Sequence, residues 1–165
     1  KITTIILDVD GVLTDSSVIL LPDGSQARTM SVRDGYAMNR AVNKGINICI
    51  ISGGNDEAVR TRLNYLGISD VFLGVKDKIQ VLKQYLEEKN VKQEQLAYVG
   101  DDIPDLEAMQ LAGLKCCPHD AAEEIKAAVN YVSPKKGGKG CVRDVIEQTL
   151  KLHGKWMNDT NVAST

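Results

Sequence analysis

Six short apolar runs, most of them separated by a helix-length stretch, constrain this chain more than any other feature. They are "ITTIIL" (2–7), "INICII" (46–51), "VFLG" (71–74), "LAYVG" (96–100), "GLKCC" (113–117) and "NYVS" (130–133). Each is too short for a buried helix, and together they are rich in the β-branched residues that favour strands. Between them, apolar residues recur at helical spacing over 34–43, 56–66, 78–88 and 105–111. Near-continuous apolar strands alternating with helices imply a parallel sheet covered on both faces, because a solvated face would show polar alternation. The expected fold is α/β, a Rossmann-like doubly wound parallel sheet.

At 165 residues the chain has the size of one domain, expected over 1–152 with a C-terminal tail over 153–165. One segment breaks the alternation. "SVILLPDGSQARTMSV" (17–32) has two extended halves around Pro22, Asp23 and Gly24 and reads as a β-hairpin projecting from the first loop, too short for a separate cap domain. From Leu152, "LHGKWMNDTNVAST" loses periodicity after His153, itself expected to be an ordinary surface residue, and holds the only tryptophan. A tail disordered alone or docked on a partner is expected.

A net charge of -2 leaves no basic footprint for nucleic acid. The apolar runs fall far short of a membrane span, and the amino end enters a strand without the sections of a signal peptide. The chain begins at Lys1 and not at a methionine, which leaves residues upstream open. Cys49, Cys116, Cys117 and Cys141 form no spaced framework, so a reducing cytoplasm is expected. Cys116, Cys117 and His119 follow strand periodicity without a second CxxC, which favours structural thiols over zinc.

In open α/β sheets, ligands sit outside the carboxyl ends of the strands. Here those ends deliver Asp8 and Asp10, then Ser52, then Asp101 and Asp102 with Asp105 one turn on, while Lys78 opens the helix after "FLGVKD". Carboxylates gathered at one rim repel unless a cation joins them, and hard oxygen donors with room for water suit Mg²⁺. With Mg²⁺ holding a phosphate, one carboxylate can attack phosphorus and form an aspartyl-phosphate. A second, two residues on and pointing the same way from an extended strand, can protonate the leaving alcohol and then activate water. Ser52 and Lys78 would stabilise charge on the phosphoryl oxygens.

"DVDGVLTD", "IISGG", Lys78 and "GDDIPD" resemble the four ordered motifs of the haloacid dehalogenase superfamily of phosphohydrolases, across residues 5–105. The resemblance implies that Asp8 is the nucleophile and Asp10 the general acid/base, which also lends its backbone carbonyl to the metal. It implies Asp8, Asp10 and Asp101 as Mg²⁺ ligands, Asp105 acting through a metal-bound water, and Ser52, Gly53 and Lys78 holding the phosphoryl group; Asp102 stays open. Lys76 and Lys83 compete with Lys78 on residue type, and the family spacing selects Lys78.

The hairpin in place of a cap, "GVKDK" and the late "GGKGCVRD" (137–144) resemble the small capless members that act on sugar-acid phosphates, over nearly the whole chain. That resemblance implies a homotetramer in which hairpins pack together and neighbouring subunits complete each active site, with the tail able to reach a neighbour's site. Members acting on nine-carbon sugar acids are expected to carry a glutamate just after the second-motif glycine; Gly54 stands there and favours an eight-carbon substrate, on the way to lipopolysaccharide. An alternative is a receiver-like phospho-signalling module, which also combines acids, Mg²⁺, a hydroxyl and a lysine. Its phosphoaspartate must persist, and Asp10 is poorly suited to that.

Arg60 and Arg62 follow Ser52 on a helix, and Arg60 either grips a substrate carboxylate bidentately or pairs with surface charge. Lys135, Lys136 and Lys139 around Gly137, Gly138 and Gly140 make a basic, flexible loop that either guards the site or simply leads into a helix. Lys139 and Arg143 are candidate substrate contacts, and Thr14 and Asp15 are expected to brace the first loop.

Overall fold

The computed structural model describes residues 1–160. In chain order the elements are β1 (Thr4–Leu7), the hairpin strands β2 (Ile19–Leu20) and β3 (Gln26–Ala27), α1 (Val32–Asn43), β4 (Asn47–Ile51) and α2 (Glu57–Tyr65). They continue with β5 (Asp70–Phe72), α3 (Lys78–Lys89), β6 (Leu96–Val99), α4 (Ile103–Met109), β7 (Leu114–Cys117), α5 (Glu123–Ala128), β8 (Tyr131–Val132) and α6 (Cys141–Leu152). Six strands pair in the order β5-β4-β1-β6-β7-β8, every pair parallel, so the chain winds outward from β1 in one direction and then in the other. The reversal falls between β1 and β6, and there the carboxyl ends open a crevice.

Both faces of the sheet are apolar because side chains alternate across it. Ile5, Leu7, Ile48, Ile50, Ala97, Val99 and Cys116 enter one buried cluster with α1, α2 and α6. Ile6, Cys49, Ile51, Leu96, Tyr98 and Cys117 enter the other with α3, α4 and α5. The vicinal cysteines therefore serve opposite faces. Burial pushes both thiols up, Cys116 to about 12 and Cys117 to about 11, as befits core packing.

Capping moves two helix starts ahead of the sequence expectation. Ser31 accepts from the Asp34 N–H at 3.2 Å and starts α1 at Val32. Asp102 caps α4, whose first turn holds Pro104, so that helix starts at Ile103 and not at residue 105. The start of α6 has no side-chain cap of its own; Asp34, on α1, accepts the Arg143 N–H at 2.8 Å instead.

The segment after α6 corrects the expectation of a tail that is loose or held by a partner. Residues 153–160 pack on their own chain. Trp156 is 6% exposed and belongs to the α1/α6 cluster, edge-on to Tyr36 with ring centroids 6.4 Å apart. Arg40 donates through Nε to the Trp156 carbonyl at 2.8 Å, and the guanidiniums of Arg40 and Arg143 lie 5.7 and 5.4 Å from the indole centroid. Losing such a buried indole costs about 3–5 kcal/mol. Residues 161–165, and with them any reach of the tail end toward a neighbour, lie outside the described residues.

Candidate active site

β1 ends at Leu7, and Asp8 continues it in an extended conformation with Oδ1 accepting the Val9 N–H at 2.8 Å. A wide turn over Val9–Leu13 follows, closed by the Thr14 N–H donating to the Val9 carbonyl at 3.1 Å. The buried Thr14 hydroxyl braces it by accepting from the N–H groups of Gly11 and Ser16, each at 3.3 Å. Gly11 has φ +86°, and a Cβ there would lie 1.8 Å from Asp101 Oδ2. Glycine is what lets the first loop lie against the loop after β6.

That second loop brings the acids together. Asp105 on α4 is fully buried, and its Oδ2 accepts the Asp101 N–H at 3.1 Å. Its Oδ1 accepts from Lys78 Nζ at 2.8 Å and from the Tyr98 hydroxyl at 2.9 Å. Lys78, the first residue of α3, also lies 3.1 Å from Asp8 Oδ1 and is 8% exposed. Lys76 and Lys83 are exposed, so burial and family spacing select the same lysine. Ser52 is buried just beyond β4, its hydroxyl accepting the Gly54 N–H at 3.2 Å. These groups, with Asp10, Gly53 and the exposed Asp102, line one cleft of about 230 Å³.

Asp8, Asp101 and Asp105 each offer a carboxylate oxygen within 4.8 Å of the others. Burial first, and Asp105 second, push both Asp8 and Asp101 up to about 7. Burial pulls the Lys78 ammonium down, but Asp8 and Asp105 more than offset it and hold the amine above its ordinary value. Three carboxylates this close together, with one lysine between Asp8 and Asp105, are chemically suited to a hard divalent cation. The Asp10 carboxylate stands apart from that trio and pairs with Arg28.

Other expected residues fall elsewhere. Arg60 donates to the Val71 carbonyl at 2.8 Å and pairs with Glu57 at 3.1 Å, fastening α2 to the sheet edge, which matches the charge-pairing alternative and not the grip on a substrate carboxylate. Arg62 stacks over Tyr65. The 135–140 loop is pinned, with Gly138 N–H donating to the Val12 carbonyl at 3.0 Å and Gly137 N–H to Asp120 at 3.0 Å. Lys135, Lys139 and Arg143 line a separate cleft of about 940 Å³ with Arg33 and Ser31, and not the Asp8 cleft. Sequence reasoning missed Arg28. Its one available signal was a lone arginine in an otherwise uncharged hairpin strand.

Residues 68–146 match the family model of haloacid dehalogenase-like hydrolases, and a relative 35% identical along most of its length places this chain in that family. The relative is the 3-deoxy-D-manno-octulosonate 8-phosphate phosphatase KdsC of Escherichia coli, aligned over 155 residues that cover 94% of this chain and 82% of that protein. The Yersinia pestis structure of a phosphatase of the same name superposes with a TM-score of 0.94 at 32% identity, covering 98% of this chain and 87% of that one. A Moraxella catarrhalis structure of such a phosphatase, in complex with magnesium, phosphate and KDO, superposes with a TM-score of 0.90 at 33% identity, covering 94% and 89%.

Proposed function

We propose that this protein is a Mg²⁺-dependent phosphatase that hydrolyses the phosphate monoester of 3-deoxy-D-manno-octulosonate 8-phosphate in the cytoplasm, a step toward lipopolysaccharide. The observation that carries the reading is the meeting of Asp8, Asp101 and Asp105 with Lys78 and Ser52 in one cleft at the switch point of the sheet. Asp8, Asp101 and the Asp10 carbonyl would hold Mg²⁺, with Asp105 acting through water, and the ion would draw charge from the phosphoryl oxygens.

The remaining chemistry belongs to the chain. Asp8 attacks phosphorus to form an aspartyl-phosphate, and Asp10 gives a proton to the departing sugar hydroxyl, then takes one from the attacking water. Lys78 and the Ser52 hydroxyl bind the equatorial oxygens, and Asp105 keeps Lys78 aimed. Gly53 and Gly54 leave the cleft floor open to the ester. An acid/base group beside the nucleophile shortens the life of the phosphoaspartate, which sets the reading apart from a receiver domain. The exposed hairpin residues Ile19 and Leu20 (58% and 74% exposed) support self-association, with a homotetramer as the assembly.

Phosphate release with Mg²⁺ from the eight-carbon ester, a nine-carbon sugar-acid 9-phosphate and p-nitrophenyl phosphate tests this directly. A preference of roughly a hundredfold for the first, about 2.7 kcal/mol of discrimination, is expected, with turnover abolished in Asp8→Asn. Preference for the nine-carbon ester would keep the mechanism and change the substrate. Absence of metal-dependent release from all three would remove the enzyme reading.

A further inference from the structure

A single guanidinium ties the hairpin to the cleft. Arg28, directly after β3, donates from Nε to Asp10 Oδ1 at 2.7 Å and from Nη2 to Asp10 Oδ2 at 3.2 Å, fork to fork. Nη1 reaches Asp56 Oδ2 at 3.3 Å, and Nη2 also meets Gln26 Oε1 at 3.2 Å. The Arg28 side chain is 9% exposed over a small pocket floored by Val59 and Leu73, although it springs from a hairpin that otherwise faces water. An arginine there could extend into solvent without desolvation; it is drawn inward instead, and two carboxylates offset the cost.

The contact does more than neutralise charge. Two parallel hydrogen bonds fix both the position and the plane of a carboxylate, which a single ammonium cannot do. Among the described residues the Asp10 carboxylate has no other hydrogen-bond partner, and it lines the same cleft as Asp8, Ser52 and Lys78. The orientation of the group that would serve the leaving oxygen is therefore set by a residue outside all four sequence motifs.

We propose that Arg28 is the positioning residue of the general acid/base, so that the hairpin is part of the catalytic machinery; this rests on the role given to Asp10 above. In the step concerned, the ester P–O bond breaks as Asp8 takes the phosphoryl group. The bonding electrons pass to the leaving oxygen, which takes its proton from Asp10. A freely rotating carboxyl group spends only part of its time aimed for that transfer, whereas phosphoryl binding by Ser52 and Lys78 needs no help from Arg28.

A series of aryl phosphates graded in leaving-group basicity separates the two effects, because nitrophenol departs as its anion and an unactivated phenol requires a proton. In Arg28→Met, kcat/KM, which reports steps only up to phosphoryl transfer and so leaves out the later attack of water, should fall roughly 10- to 100-fold for the poorest leaving group, while kcat/KM for p-nitrophenyl phosphate changes by less than about threefold. Arg28→Lys, which keeps the charge and loses the fork, should show a partial defect of the same kind and carries the test should the methionine variant fold poorly. Adding Arg28→Met to Asp10→Ala should bring no further loss, since an absent acid cannot be misaimed. A uniform loss across the series, or a wild-type leaving-group dependence in both Arg28 variants while Asp10→Ala is steep, would overturn the role of Arg28 alone. A wild-type dependence in Asp10→Ala would remove the acid assignment itself, and the Arg28 role with it.

Discussion

The cleft and the hairpin invert the usual partition of a folded chain in opposite ways. At the cleft, Asp8, Lys78 and Asp105 are almost fully buried; on the hairpin, Ile19 and Leu20 stand in water. Charge inside and aliphatic surface outside are both costly, and in each case the cost falls when something else arrives. The buried acids call for a cation and a phosphoryl group, and the exposed aliphatic residues call for a second apolar surface. Function is concentrated where the isolated chain is least content.

Four measurements test that contrast. Lys78→Met removes the one cation that, among the described residues, touches both Asp8 and Asp105, and should destabilise the metal-free protein by about 3 kcal/mol while cutting turnover at least a hundredfold. Unchanged thermal melts would mean that the buried charges are not coupled through this lysine. The second measurement is pH dependence without metal. Asp8 and Asp101 rise from 3.8 in their ordinary state to about 7 when folded, so the folded protein holds more protons, and their contribution to stability is lost as pH climbs from about 4 to about 7. Melting with and without Mg²⁺ from pH 5 to 8 should therefore show a metal-induced rise that grows with pH. A rise independent of pH would place the ion elsewhere.

The hairpin gives the third. Ile19→Ser with Leu20→Ser should lower the assembled mass seen by light scattering and leave the stability of each chain within about 0.5 kcal/mol of wild type. A wild-type mass would count against self-association through the hairpin. The smallest effect belongs to Arg60→Ala, which removes contacts to Glu57 and Val71 on α2 and the sheet edge. It should cost less than about 1 kcal/mol and leave KM for the sugar phosphate unchanged; a raised KM would return Arg60 to the substrate.

The sheet was legible because its signals are local: each strand is a contiguous apolar run, and each acid follows its strand directly in the chain. Ser52 was legible from its place at a strand end, and Lys78 only through its resemblance to the family motif, since Lys76 and Lys83 offer the same side chain. Arg28 was not, since its meaning depends on a hairpin folding back 18 positions to Asp10. Trp156 was misread for a related reason. A lone aromatic beyond the last helix has no periodicity, and its cage of Tyr36, Arg40 and Arg143 is assembled from α1 and α6. Arg60 was a sound candidate by residue type, but the carbonyl it satisfies belongs to a strand edge that periodicity does not reveal.

The seat of Gly137 and Gly138 against the first loop has a consequence in time. A Cβ at residue 137 would lie 1.9 Å from the Gly11 carbonyl oxygen, and the Cys141 thiol donates to the Val12 carbonyl at 3.3 Å. The loop carrying Asp8 is thus made well before the segment that locks it. A nascent chain can pair β1 with β4 long before residues 137–141 exist, so the sheet has a history of its own before the enzyme does. The first loop can take its final seat only once residues 137–141 have been added and folded back against it.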